Sequence, residues 1–238
     1  MAFQTVTNVF TAVGVPGEVA YFGPEPRVQP RIMYSGGTNP NTMGFAFTES
    51  TAGDIQLSGT VTVGGTGQFA GILVQPKASS TFGTTAGGPL AATLNMPDYS
   101  TGEMLSFGDV FVALPAAANI GDLVAYNTTT GTLTSTAPTA AFTASQSTTV
   151  LTVSAITAGN LGVGTQVYSA GVLVGTIISL GTGTGGTGTY NMNTTATVSS
   201  AAMTAASVAA SGTAFVPKAR VNHFPITAAG VAVVTLSN

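Results

Sequence analysis

The chain runs to 238 residues and 23.5 kDa, long enough to bury a substantial core as one large or two small domains. Only 5% of it is charged, with five Lys or Arg against eight Asp or Glu, which leaves too few basic residues for a nucleic-acid-binding face. The absence of cysteine excludes disulfides and thiolate sites, and one histidine, His223, is too little for a metal centre within one chain, so no cofactor is expected.

The chain opens with the apolar residues Phe3, Val6, Val9, Phe10 and Val13, followed by Gly23–Arg31, where Pro24, Pro26 and Pro30 favour an extended, polyproline-like path. Two readings stay open for this stretch: an arm that packs only on a partner, or an edge strand and rigid loop of the same domain. Short alternating runs then recur at roughly 10-residue spacing, the pattern of a sandwich, jelly roll or small barrel. They are Thr42–Thr48, Ile55–Val63, Gln68–Val74, Asp109–Leu114, Leu123–Tyr126 and Gly131–Thr136. Met96–Gly102 reads as a turn, Pro115–Gly121 as a loop, and Asn127–Gly131 as a tight hairpin connection in which Asn and Gly take positive φ.

From Leu123 to Pro217 there is no Asp, Glu, Lys or Arg. Hydroxyls and methyls cover such a surface, and laying it against another protein strips little water from charges. Within it Thr148–Ile156, Thr165–Tyr168, Gly171–Leu180, Thr189–Asn193 and Thr195–Ser200 read as about five short strands with turns between them. Ala214–Phe224 and Gly230–Leu236 resume the character of the first half. The expected organisation is a β domain over residues 1–137 and 206–238, with an N-terminal arm over 1–31, interrupted by an inserted all-β module over 138–205.

Mean hydropathy is high at +0.43. Gly, Thr and Ser nevertheless interrupt every run short of the ~18 apolar residues a spanning helix needs. An outer-membrane barrel would want aromatic girdles that 8% aromatics do not supply. The opening Met1-Ala-Phe-Gln-Thr lacks the basic and apolar regions of a secretion signal, so a soluble protein made in the cytoplasm, with no membrane partner, is expected.

Chemistry-bearing motifs are scarce. Gly183-Thr-Gly-Gly-Thr-Gly188 satisfies G-x-G-x-x-G, but no helix start or spaced acid follows, so a flexible hairpin loop is the better reading. Glu18, Glu25, Glu49, Asp54, Asp98, Glu103, Asp109 and Asp122 are scattered singly, and His223 lies in an alternating run beside two cations; none forms a catalytic constellation. The basic pairs Arg27/Arg31 and Lys218/Arg220 stand out against so little charge. At i, i+2 in a strand Lys218 and Arg220 share a face, fit either to meet an acidic partner or to keep an edge strand from pairing.

Several stretches, in their order and spacing, resemble the structural cement (decoration) proteins of tailed bacteriophages. They are Phe3-Gln-Thr-Val6, Gly14-Val-Pro-Gly-Glu-Val-Ala-Tyr-Phe-Gly-Pro24, Gly108-Asp-Val-Phe-Val-Ala-Leu114, Gly121-Asp-Leu-Val-Ala-Tyr-Asn-Thr-Thr-Thr-Gly131, Phe215-Val-Pro-Lys-Ala-Arg-Val221 and Gly230-Val-Ala-Val-Val-Thr-Leu236. The resemblance covers roughly residues 1–137 and 210–238. Thr148–Ile156 and Gly181–Met192 are similar instead to a β module that recurs in phage structural proteins and that simple cement proteins lack. The resemblance implies an all-β, jelly-roll-like sandwich or small barrel on the outer surface of an icosahedral capsid. It further implies that the protein bridges major capsid subunits as a dimer or trimer, with no catalytic residue. Phe3, Val6, Phe10, Arg27, Arg31, Lys218 and Arg220 are the candidate partner contacts, and the inserted module is expected to face outward. The rival reading is a head-fibre, adhesive or carbohydrate-binding module projecting from the virion.

Overall fold

A computed structural model describes residues 14–20, 23, 25–37, 39–50, 59–74 and 95–237. The described residues form strands, turns and loops, with no helix. The first half contributes β1 (Val19–Ala20), β2 (Arg27–Met33), β3 (Asn41–Thr42), β4 (Ala46–Glu49), β5 (Thr60–Val63), β6 (Phe69–Val74), β7 (Asn95–Met96), β8 (Thr101–Leu114), β9 (Leu123–Asn127) and β10 (Leu133–Thr136). The charge-free stretch gives β11 (Thr139–Ala158), β12 (Gln166–Ser169), β13 (Val172–Leu180) and β14 (Gly188–Ala206). The chain closes with β15 (Thr213–His223) and β16 (Gly230–Leu236).

Ten strands make the main sheet, in the order β10-β9-β15-β16-β8-β2-β5-β4-β6, with β1 added on β8. The sheet is mixed, because β2 and β5 run parallel through Ile32–Thr60 and Met33–Val61. β6 returns to pair with β8 (Ile72–Leu105, Leu73–Met104, Val74–Glu103), so β8, β2, β5, β4 and β6 close a ring of hydrogen-bonded strands. Each ring strand sends at least one residue into a common core: Met33, Phe47, Val61, Val63, Leu73 and Met104. Met43, in the turn after β3, and Met96 of its partner strand β7 join them.

Alternate residues of the same strands face a second, larger core. Ile72, Val74 and Leu105 pack there with Val110, Val112, Val124, Val216, Val221, Val234 and Leu236. This is why Ile72-Leu73-Val74 is apolar throughout rather than alternating: both faces of β6 are buried, as in a sheet covered on two sides. β8 serves both cores, its first half within the ring and its second half on β16, from Gly230–Leu114 to Leu236–Gly108. Gly108 sits at the changeover with φ +117, and a Cβ there would meet Pro26 Cα at 2.9 Å, so only glycine fits.

The four-stranded sheet of β11, β14, β12 and β13 has its own core of Phe142, Leu151, Val153, Val167, Ile177, Tyr190, Met192 and Met203, among others. β11 and β14 form one long bent hairpin, paired from Thr139–Ala206 to Val153–Gly188 with bulges beside Gln146 and Thr148. β11 folds back on itself: the Ser154 hydroxyl donates to the Thr143 carbonyl at 3.2 Å, and a Cβ on Gly159 would lie 2.6 Å from Ala140 Cα. β12 and β13 complete the circuit by pairing with each other and with β14. The buried Gln146 fastens the bend, donating from Nε2 to the carbonyls of Thr148 and Thr194, each at 2.9 Å.

Several expected elements change shape. Thr42–Thr48 is broken by a turn at Met43-Gly44, where Gly44 has φ +81. The run expected at Thr148–Ile156 is the second half of β11, and those at Thr189–Asn193 and Thr195–Ser200 are one bent strand, β14. A bulge lets a strand turn without a loop, so no Gly or Pro marks those corners. The loop around Gly183–Gly188 is the hairpin connection expected there, joining β13 to β14. It wraps the buried Tyr190, whose hydroxyl donates to Gly186 O at 2.6 Å and accepts from the Gly185 amide at 3.1 Å. A Cβ at Gly183 would strike that ring at 2.5 Å, so the glycine makes room for a tyrosine and not for a phosphate. Of the expected strand Ile55–Val63, residues 55–58 lie outside the described residues.

Candidate partner-contact surface

Arg27 and Arg31 stand on β2. β8 lies along one side of that strand, while β5 reaches only Ile32 and Met33 on the other. The guanidinium carbon of Arg27 lies 5.8 Å from the centre of the Phe107 ring, a cation–π contact. Arg31 pairs with Glu49 at 3.1 Å, both side chains about one-third exposed (37% and 32%). Two arginines and Pro30, which has no amide hydrogen, are the residue types that stop an open edge from recruiting another strand.

Lys218 and Arg220 lie on β15 where its pairing with β9 jumps from Phe215 to Arg220. Lys218 has φ +50 there, a bulge that turns Val216, Ala219 and Val221 inward and leaves Pro217, Lys218 and Arg220 exposed. Arg220 donates from Nη1 to the Gly121 carbonyl at 2.8 Å, which ties the strand to the loop before β9. The register links the two basic pairs. Arg27 faces Phe107, the next residue Gly108 faces Leu236, and Leu236 faces Ala219. Arg27 and Lys218 therefore lie on one traverse of the sheet, about three strand spacings or ~15 Å apart. Phe3, Val6 and Phe10 lie outside the described residues.

Two acidic positions matter more than their isolation in the sequence suggests. Asp109 is fully buried. Its Oδ1 accepts from the Thr235 hydroxyl, which itself accepts from Asn222 Nδ2 at 2.9 Å, while Oδ2 has no hydrogen-bond partner. A Cβ on Gly23 would come within 2.6 Å of that oxygen. Asp98, in the turn between β7 and β8, accepts from the amides of Ser35 (2.9 Å) and Gly37 (3.1 Å) and from Asn41 Nδ2 (2.8 Å). Burial pushes the Asp98 carboxyl up, but the hydrogen bonds from Ser35, Asn41, Gly37 and Gly36 together outweigh it and hold the group below its ordinary value. Nothing in a one-dimensional reading marks these carboxylates, because their partners lie 57 to 126 residues away. His223 is half-buried beside Phe224, their ring centres 6.3 Å apart.

What the geometry offers is a broad β surface whose described cations lie on the open run of β2 and at the bulge of β15, and no cluster of three or more His, Cys, Asp or Glu among the described residues. The family model described as "Structural cement protein (E217 gp24/Pam3 gp6)" matches residues 3–237. The chain belongs to that family of phage cement proteins: it is a structural component of the virion that decorates and stabilises the capsid, and it is not an enzyme. Among solved structures it is similar to a chain of "The capsid of Myoviridae Phage XM1", with 13% identity, a TM-score of 0.47, and 100% of this chain and 99% of that one covered. No curated protein matches the sequence.

Proposed function

We propose that this cement protein sits on the outer surface of an icosahedral phage capsid and bridges neighbouring major capsid subunits as a dimer or trimer. Residues 1–137 and 206–238 hold the shell, and the module over 138–205 faces outward. We read the closed ring of β8, β2, β5, β4 and β6 as a small barrel, and the two cores together as a jelly-roll-like body. The observation that carries this reading is the placement of charge: Arg27, Arg31, Lys218 and Arg220 all lie on the main sheet, and residues 139–206 carry none. The cations suit an acidic capsid surface, with Phe3, Val6 and Phe10 adding apolar contact. Each contact is small, and many copies make the gain large.

The test is reloading. Capsids stripped of this protein and reloaded with the wild type regain resistance to heat, while the Lys218→Glu/Arg220→Glu variant binds at least tenfold more weakly. Equal heat resistance of stripped and loaded particles overturns the bridging role.

A further inference from the structure

Besides the two-residue β1, two edges of the main sheet lack a further strand among the described residues, and they differ in chemistry. The open part of β2 is defended by Arg27, Pro30 and Arg31. β10, the terminal strand, reads Leu133-Thr-Ser-Thr136, with no charge, no proline and no bulge in its pairing to β9. Natural sheets rarely leave such an edge without a use. Over the face of β10 and β9 lies a crevice of about 290 Å³, lined by Thr134, Ser135, Thr136 and Asn160, whose amide donates to the Thr136 hydroxyl at 3.2 Å, together with Ala125 and Ala210; none of its lining residues is charged.

An occupant that satisfies both features is an extended, uncharged segment that offers its backbone to β10 and an apolar side chain to the crevice. The first 17 residues have no charged side chain and supply Phe3, Val6, Val9, Phe10 and Val13. Extended, residues 1–13 reach roughly 45 Å beyond Gly14, enough to cross to another subunit. We infer that the N-terminal segment of a second copy adds along β10 and seats a phenylalanine in the crevice. In a closed ring or pair each copy then both gives and receives a strand, which fixes the oligomer without any charged contact. This inference rests on the oligomeric reading above.

The protein has no cysteine, so single engineered thiols report contacts without background. Full-length Val6→Cys and Ser135→Cys proteins are mixed, oxidised mildly and run without reductant. Disulfide-linked pairs are expected at least fivefold above a control mixture of Val6→Cys with Thr197→Cys, whose thiol is exposed on the four-stranded sheet. Filling the crevice with Ala210→Trp is expected to return the yield to the control. Equal yields in both mixtures overturn the inference. So does a Val6→Cys/Ser135→Cys double variant that closes within one chain while the mixture does not. Capsid stabilisation is measured in parallel with the wild type: shells protected without cross-linking remove this contact and leave the cement role standing.

Discussion

The ten-stranded sheet and the four-stranded sheet face the same hazard and meet it differently. Both are built from Thr, Val, Ala and Gly, residues that pair readily with any exposed strand. The main sheet keeps open edges and guards one of them with Arg27, Pro30 and Arg31. The module spends no charge at all: β12, β13 and β14 pair in a closed circuit, and β11, whose one ladder partner among the described residues is β14, bends back with it. Closure removes edges outright, which charge only discourages. A charge-free stretch is therefore compatible with a well-behaved fold where three of the four strands pair in a circuit and the fourth bends back on itself.

If each region holds itself together, each should fail alone. Phe47→Ala empties the core of the ring and is expected to cost about 3–5 kcal/mol, and Leu151→Ala in the module about 2–5 kcal/mol; both side chains are fully buried. With no tryptophan, unfolding in urea is followed by tyrosine fluorescence, with Tyr126 buried in one core and Tyr190 in the other. Two transitions are expected, each variant shifting one. A single transition moved equally by both would show that the regions stabilise one another, and would break the comparison.

The sequence reveals the regions unequally. Alternation and turn residues mark β5, β6, β9 and β16 because a glycine or an asparagine lies at or close to one end of each. The corners of β11 and β14 are invisible in the same pattern. They turn at bulges, and the residue that secures them, Gln146, looks like any polar residue of a strand until its amide is found between the carbonyls of Thr148 and Thr194. The surface was only partly legible for a related reason. Rarity alone singles out Arg27, Arg31, Lys218 and Arg220, whereas the traverse that links Arg27 to Lys218 exists only through the register of β2, β8, β16 and β15.

Acid sharpens the contrast. The Asp98 carboxyl is held below its ordinary value, so its contribution is present above the unfolded value near 3.8 and is lost as pH falls through the lower, folded one. Residues 139–206 contain no carboxylate side chain and no histidine. Below about pH 4 the main-sheet transition is expected to move to lower urea while the module transition stays in place. Asp98→Asn should flatten the acid response of the first transition. A module that weakens in step would mean that its stability is borrowed from the sheet it is joined to.

The smallest effect on stability falls at the guarded edge, and there the readout is association. Arg31 and Glu49 are partly exposed, and such a pair contributes about 0–1 kcal/mol. Arg27→Thr/Arg31→Thr is therefore expected to leave the urea midpoints nearly unchanged. It converts the open run of β2 into the uncharged, hydroxyl-rich composition that the module carries throughout. If charge guards this edge as closure guards the module, the variant self-associates at protein concentrations where the wild type does not, as seen by light scattering. Thr157→Ser/Thr197→Ser on the exposed face of the module, which removes only methyl groups, should change neither quantity. A double arginine variant that scatters no more light than the wild type would show that Pro30 and the local twist alone suffice, and that the two regions differ in composition without differing in how they resist aggregation.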